Sequence, residues 1–143
     1  MDIFSGTKEA EYIDSLIKQY IARNNSSVTS GTLAVIQIGD NPSSTKYINL
    51  KKKVALNLGI SLEHLHISKS LGFEEFSLKI EEIYTNPRYT SIIVQLPIPN
   101  TFSNKVLDKI PLEKDVDLLS TAAQKRFYSG DFTVLSPVVL ATK

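Results

Sequence analysis

The chain has 143 residues, of which 42% are hydrophobic, and its 16 basic and 15 acidic residues leave a net charge of +1. This length suits one compact domain, and the balanced charge gives no electrostatic reason to expect binding to nucleic acid or to a membrane. The sequence has no cysteine, which excludes disulfides and thiolate metal sites. We see no signal peptide and no apolar stretch of membrane-spanning length, so we expect a cytoplasmic protein.

The hydrophobic pattern predicts helices and strands in alternation. The strands are predicted at residues 33–38, 60–68 and 91–96. The helices are predicted at residues 9–21, 42–58, 73–84, 103–110 and 121–128. Polar, turn-rich residues 24–31 and the charged stretch 111–117 predict loops. Such an alternation is typical of α/β proteins, so we expect a three-layer αβα sandwich around a mostly parallel sheet, formed by one domain over residues 1–143.

The second predicted helix carries a lysine on its apolar face. Leu50, Val54 and Leu58 fall on one predicted stripe with Tyr47, and Lys51 lies inside that stripe. Burying an ammonium group without a partner is expensive, so this position needs an explanation. In the simpler interpretation, Lys51 lays its stem along the sheet and keeps its head in water. In the functional interpretation, it faces a cleft at the carboxyl end of a parallel strand and takes part in acid–base chemistry.

Three other side chains are candidates for the same cleft. Tyr47 precedes Lys51 by four residues, either as a core aromatic or as a stacking surface beside the amine. Gln95 ends the third predicted strand, either as a cap of the sheet or as a polar partner that holds the lysine head. Asp117 lies in a charged loop, and we expect it and Asp115 to face opposite ways, so that at most one carboxylate faces the cleft.

Three segments, in this order and at this spacing, resemble one known family. The first reads GDNPSSTKYINLKKKVALNLGI and resembles the family segment GD-x-P-x-S-x-x-Y-x-x-x-K-x-K. The second and third read IIVQLPIP and PLEKDVD, and they are similar to the family signatures VQLPLP and P-x-KDVD. The family is that of methylenetetrahydrofolate dehydrogenase/methenyltetrahydrofolate cyclohydrolase. The resemblance covers about residues 33–117 and implies a folate-binding catalytic domain.

The resemblance also implies roles for individual residues. Those matched to catalytic positions are Lys51, Gln95 and Asp117. Those matched to substrate-binding positions are Tyr47, Ser44, Leu96 and Pro97. The implied reactions oxidise methylenetetrahydrofolate to methenyltetrahydrofolate and then hydrolyse it to formyltetrahydrofolate, with Lys51 assisting proton transfer as water adds.

The resemblance implies NADP or NAD as cofactor, bound by a C-terminal domain, and a homodimer for the full-length protein. The chain has no G-x-G-x-x-G sequence, so we expect the cofactor domain to be absent from it and the isolated chain not to be competent for the dehydrogenase step. Two places depart from the family pattern. Leu118 follows Asp117 where the family usually has glycine, and residues 136–139 read SPVV where it has Pro-Cys-Thr-Pro-x-Gly.

Two other functions remain open for this sequence. The chain could be a folate-binding module without chemistry of its own, or an interaction domain that keeps the fold, because fold alone does not determine function. A small-molecule folate is the expected partner in either folate-related case. A metal centre is not expected, because we expect His64 and His66 to point to opposite faces of the second strand, one packed and one in solvent.

Overall fold

The computed structural model describes residues 5–24, 31–99 and 104–140. Its strands are β1 (Thr32–Ile38), β2 (Ser61–Ile67) and β3 (Tyr89–Gln95). Its α-helices are α1 (Gly6–Arg23), α2 (Pro42–Leu58), α3 (Phe73–Thr85), α4 (Thr121–Tyr128) and α5 (Pro137–Leu140). The predicted helix at 103–110 is a 3-10 helix (Asn104–Lys109). Most of the predicted loop at 24–31 lies outside the described residues.

The three strands form one parallel sheet with the order β2-β1-β3, so β1 is central. Gln37 of β1 is in register with His66 of β2 and with Gln95 of β3, which places three polar residues in one row near the carboxyl edge. Successive side chains alternate between the two faces of a strand. The faces of the central strand are therefore set by Ala34, Ile36 and Ile38 on one side and by Leu33, Val35 and Gln37 on the other.

Helices cover both faces of the sheet. The Ile36 face packs against α3 and the 3-10 helix, and the main contributors from these helices are Phe76, Ile80, Ile83, Tyr84, Val106 and Leu107. The opposite face packs against α2 through a smaller cluster of Val35, Ile48 and Ile93. The predicted three-layer αβα sandwich around a parallel sheet is confirmed.

The buried face of α2 differs from the predicted stripe. Ser44, Ile48, Ala55 and Leu58 are buried, and Lys51 continues this row at the helical spacing of three and four residues. Three members of the predicted stripe are exposed instead, Tyr47 at 60%, Leu50 at 52% and Val54 at 48%. The prediction was wrong for these three because a three-stranded sheet presents a narrow face, which takes one row of α2 centred on Ile48.

Local sequence signals fix both ends of α2. The Asn41 side chain accepts a 3.1 Å hydrogen bond from the Ser44 amide and caps the first turn, and Pro42 at the first position has no N–H to satisfy. Gly59 ends the helix with φ 73°, a left-handed conformation that glycine adopts without a steric penalty. The sequence therefore sets the length of the helix that carries Lys51.

Helix α1 lies against the outside of α2 and is not part of the core. The structure describes all of its 18 residues, and none of them is buried. Lys18 donates a 3.0 Å hydrogen bond to the Asn57 side chain of α2. Among the helices that the structure describes, none has the length and apolar character needed to cross a membrane.

Candidate active site

Lys51 of α2 and Gln95 of β3 meet at the carboxyl edge of the sheet. The Lys51 ammonium group donates a 2.8 Å hydrogen bond from Nζ to Oε1 of Gln95. Lys51 is half-buried, because it occupies a sheet-facing position of α2. Its ammonium head is therefore held by an amide oxygen. The simpler interpretation, in which the head lies free in water, does not describe this lysine.

The carbonyl oxygen of Leu96 fixes the orientation of the Gln95 amide. Nε2 of Gln95 donates a 3.0 Å hydrogen bond to this carbonyl, and the buried Ser44 hydroxyl donates a second one of 3.2 Å. A carbonyl oxygen only accepts, so the NH₂ end of Gln95 faces Leu96 and the oxygen end faces Lys51. Leu96 and Pro97, which are joined by a cis peptide bond, are exposed beside this group.

Asp117 lies half-buried within electrostatic reach of Lys51. Burial raises the pKa of Asp117 above its ordinary value, the Lys51 charge lowers it in part, and the Asp115 charge adds to the rise. Burial is the largest of these causes, so an ionised Asp117 is costly to keep in the folded chain. A carboxylate held at such a cost next to an amine is typical of a functional site.

Asp115 has a different environment, although it lies only two residues away. It is 5% exposed, and its carboxylate accepts hydrogen bonds from the backbone amides of Leu119 and Ser120 at 3.4 and 3.1 Å. Ser120 in turn caps α4. Asp115 therefore anchors the loop that carries Asp117, and Asp117 is the carboxylate that the Lys51 charge influences. The sequence predicted that at most one of the two carboxylates faces the cleft.

The turn that follows Asp117 is centred on Leu118. The Leu118 φ of 53° lies in the left-handed region, where the chain reverses direction after Asp117. Glycine is the residue that adopts this conformation without strain, and the family usually has glycine here. The leucine side chain lines a cavity of about 210 Å³ together with Ala123 and Phe127 of α4. The chain therefore places a leucine in a left-handed conformation at a position where the family pattern has glycine.

Tyr47 lies one turn before Lys51, at the rim of an apolar groove. The groove has a volume of about 370 Å³, and its lining includes Tyr47, Lys51, Leu33, Leu62 and Ile93. An exposed ring on such a wall offers a face for stacking against a flat ligand. Of the sequence candidates, Tyr47 and Lys51 line this groove, whereas Gln95 and Ser44 meet at the Leu96 carbonyl and Gln95 joins the two groups through Lys51.

The two histidines of β2 lie on the same face, and the expectation of opposite faces was wrong. Residues two apart in a strand share a face. The rings of His64 and His66 meet edge to face, with their centroids 6.5 Å apart, on the α2 side of the sheet. Over the described residues, no three His, Cys, Asp or Glu side chains are grouped so that they could hold a metal ion.

Sequence reasoning also missed Gln37, which is 2% exposed at the end of β1. Its amide nitrogen donates to the Gly39 carbonyl and to the Thr45 hydroxyl, both at 3.0 Å, and so connects β1 to the first turn of α2. One signal could have revealed it: an amide within the otherwise apolar run LAVIQI needs buried partners.

The carboxyl end of β1 does not fit a dinucleotide cofactor. A pyrophosphate needs free backbone amides and a glycine-rich turn at a helix N-terminus. Here the Ser44 amide is bonded to Asn41 and Pro42 has no N–H. A dinucleotide would therefore need a binding site other than this strand–helix turn.

The model of the tetrahydrofolate dehydrogenase/cyclohydrolase catalytic domain family matches residues 4–117 of the chain. The chain belongs to this family. The matched range includes Lys51, Gln95 and Asp117, which the structure brings together at one edge of the sheet. The family resemblance drawn from the three sequence segments is thereby confirmed.

Relatives within the tetrahydrofolate dehydrogenase/cyclohydrolase family are about twice as long as this chain. Bifunctional protein FolD of Clostridium perfringens is 35% identical over 130 residues, which are 90% of this chain and 47% of the relative. Bifunctional protein FolD of Bacillus pumilus is 39% identical over 117 residues, which are 80% of this chain and 41% of the relative. The chain therefore spans about half the length of the curated relatives that it matches.

Solved structures of the family share the fold. The bifunctional enzyme FolD of Campylobacter jejuni superimposes with a TM-score of 0.78 at 27% identity, over 86% of this chain and 44% of that one. A 5,10-methylenetetrahydrofolate dehydrogenase from the silkworm Bombyx mori gives a TM-score of 0.79 at 29% identity, over 85% of this chain and 43% of that one. The described fold is thus the fold of one half of these enzymes.

Proposed function

We propose that the chain is the folate-binding catalytic domain of a methylenetetrahydrofolate dehydrogenase/methenyltetrahydrofolate cyclohydrolase. The observation that carries this proposal is the 2.8 Å hydrogen bond that holds Lys51 against Gln95, beside Asp117 and the groove at Tyr47. An amine, an amide and a carboxylate from three segments lie near one another, and the amine also lines the apolar groove. This arrangement suits a flat, partly polar heterocycle with a reactive carbon.

Hydrolysis of methenyltetrahydrofolate is the step for which this chain supplies the groups. Water adds to the cationic carbon, a C–O bond forms, and one proton leaves the water. The hydroxyl group of the adduct then loses its proton as the C=O bond forms, one C–N bond breaks, and that nitrogen takes up a proton as the ring opens to formyltetrahydrofolate, so that one proton is released overall. The Lys51 amine lies where it can carry this proton, and Gln95 holds it in one position.

Asp117 and Tyr47 hold the substrate in this proposal. The Asp117 carboxylate accepts hydrogen bonds from the N–H groups of the pterin ring, and the Tyr47 ring packs against the folate. Leu96, Pro97 and Ser44 form the adjoining wall of the site. Binding energy from these contacts places the reactive carbon next to Lys51.

Replacing Asp117 with asparagine tests this assignment. The pKa of Asp117 in the folded chain is raised above its ordinary value of 3.8. Between these two values the folded chain binds more protons than the unfolded chain, so its stability falls as pH rises through this range. We expect Asp117→Asn to have a higher free energy of unfolding than wild type at neutral pH, measured in urea. We also expect it to bind a folate analogue about 10- to 100-fold more weakly, because a charged hydrogen bond is lost. Weaker folding with unchanged affinity would contradict the assignment.

The dehydrogenase step needs a partner domain in this proposal. Methylenetetrahydrofolate would give a hydride to NADP or NAD, and the chain offers no glycine-rich loop for either cofactor. We propose that a second domain of a longer protein binds the cofactor, that the longer protein is a homodimer, and that it acts in the cytoplasm on a small-molecule folate. The twofold greater length of the relatives supports this division.

Calorimetry with a folate analogue and a cyclohydrolase assay on the 143-residue chain test the function together. Binding with turnover of methenyltetrahydrofolate supports the proposal. Binding without turnover favours the second candidate, a folate-binding module, because the exposed Tyr47 ring serves binding in either case. Absence of binding, both in this chain and in a longer form that contains it, would leave an interaction domain with an inherited fold.

A further inference from the structure

Two adjacent lysines of α2 contact opposite edges of the sheet. Lys51 bonds Gln95 on β3, whereas Lys52 donates a 3.3 Å hydrogen bond from Nζ to Nδ1 of His64 on β2. Gln37 of the central strand lies between these two contacts. The helix that carries the catalytic candidate is therefore tied down on both sides.

Gln37 connects His64 to the first turn of α2. Its Oε1 lies 3.0 Å from Nε2 of His64, and its Nε2 donates to the Gly39 carbonyl and to the Thr45 hydroxyl. The Gly39 carbonyl only accepts, so the NH₂ end of Gln37 must face it and the oxygen end must face His64. The orientation of this buried amide is thus fixed by chemistry.

The same contacts fix the state of the His64 ring. Gln37 presents an acceptor to Nε2, so Nε2 must carry a proton. Lys52 has only donors, so Nδ1 must present a lone pair. Two independent neighbours therefore require the neutral ring with its proton on Nε2.

We propose that neutral His64 is a positioning residue for the candidate active site, which it holds in place through Lys52 and Gln37. The inference rests on the proposed function, because it concerns the helix that carries Lys51. His64 does not touch the groove at Tyr47, and its effect passes through α2. Protonation of the ring replaces the Nδ1 lone pair with a donor, which breaks the Lys52 contact.

Burial and the positive charges near His64 all disfavour protonation of its ring. From α2 it faces the Lys52 ammonium, and from its own strand it faces His66, while β1 contributes no ionisable side chain. Asp40, which lines the same pocket as His64, is paired with His66 at 3.1 Å. Burial first, and then the charges of Lys52 and His66, lower the pKa of His64 below its ordinary value of 6.5.

A lowered folded pKa has a definite consequence for stability. Between that pKa and 6.5, the unfolded chain binds more protons than the folded chain. The contribution of His64 is therefore fully present above 6.5, and it is lost as pH falls through this window. Acid therefore weakens the contact between Lys52 of α2 and His64 of β2, which lies at the edge of the sheet opposite to the contact between Lys51 and Gln95.

Three variants test the inference in the 143-residue chain. In His64→Gln, the amide can donate to Gln37 and accept from Lys52 without titrating, so we expect kcat for methenyltetrahydrofolate hydrolysis to stay within about twofold of wild type. In His64→Leu both contacts are lost, and we expect kcat to fall about tenfold with KM nearly unchanged, because Lys51 moves while the folate contacts remain. His66→Gln is the matched control, since it replaces the neighbouring histidine on the same face.

Urea unfolding from about pH 7 to about pH 5 supplies a second readout without folate. We expect the acid-dependent loss of stability to persist in wild type and His66→Gln and to be smaller in His64→Gln. The ¹⁵N chemical shifts of His64 should report a proton on Nε2 at neutral pH. Wild-type kcat in His64→Leu, or an unchanged acid dependence in His64→Gln, overturns the inference. Retained turnover in a Lys51 variant overturns the proposed function instead, and the unfolding and NMR data are independent of that result.

Discussion

Replacing Lys51 with methionine should reduce turnover of methenyltetrahydrofolate by about 10²- to 10⁴-fold, which is the usual contribution of a positioned proton-transfer group. Methionine keeps an unbranched apolar stem against the groove while removing the amine that bonds Gln95. The free energy of unfolding should therefore stay close to that of wild type. The loss of hydrolysis is measured from the absorbance of methenyltetrahydrofolate, and folding is measured in urea.

Lys53→Met is the matched control for this prediction. Lys53 is an exposed lysine of the same helix, two residues further along. Its replacement with methionine therefore removes the same charge from α2 as the replacement of Lys51. We expect it to keep turnover within about twofold of wild type, because surface substitutions away from the site have small effects. Equal activity in the Lys51 and Lys53 variants would refute the role of Lys51.

Replacing Asp115 with alanine should lower the free energy of unfolding by roughly 3 kcal/mol, because two backbone amides lose a charged acceptor. These amides belong to Leu119 and Ser120, in the turn between Asp117 and α4. Loosening of this turn should also weaken folate binding, since Asp117 loses its fixed position. Urea unfolding and calorimetry with a folate analogue measure the two effects.

Glu113→Ala is the control for Asp115→Ala. Glu113 lies two residues earlier in the same charged loop, but it is exposed. Its removal should change the free energy of unfolding by less than about 0.5 kcal/mol. If the two alanine variants unfold at the same urea concentration, Asp115 does not anchor the loop.

Much of the fold was predictable because its signals are local. Short apolar runs marked all three strands, and Asn41, Pro42 and Gly59 marked the ends of α2. Lys51 was also recognisable, since a lysine at a sheet-facing position conflicts with the pattern around it. The pairing of Lys51 with Gln95 followed from a single rule, that the carboxyl ends of parallel strands share an edge.

Two of the errors came from features that depend on neighbours in space, and the third came from a misapplied strand period. A helical wheel centred on Tyr47 could not show that Ile48 would face the sheet, because the choice between adjacent stripes depends on the shape of the facing surface. His64 and His66 were assigned to opposite faces, although the strand period places them together. Gln37 escaped notice because its partners at Gly39 and Thr45 lie beyond the strand that contains it.

The sequence by itself determined the helices and strands, the parallel character of the sheet and the chemical groups of the site. Periodicity, helix caps and motifs give these features because they act over a few residues. Only the tertiary structure decided which groups meet. The Gln95 and Gln37 amides are oriented by the Leu96 and Gly39 carbonyls, and the two carboxylates have different partners, since Asp115 accepts from the Leu119 and Ser120 amides whereas Asp117 lies near the Lys51 charge. Hydrogen-bond direction and burial are properties of the packed chain, so they arise only when the sheet, α2 and the loop at Asp117 are assembled.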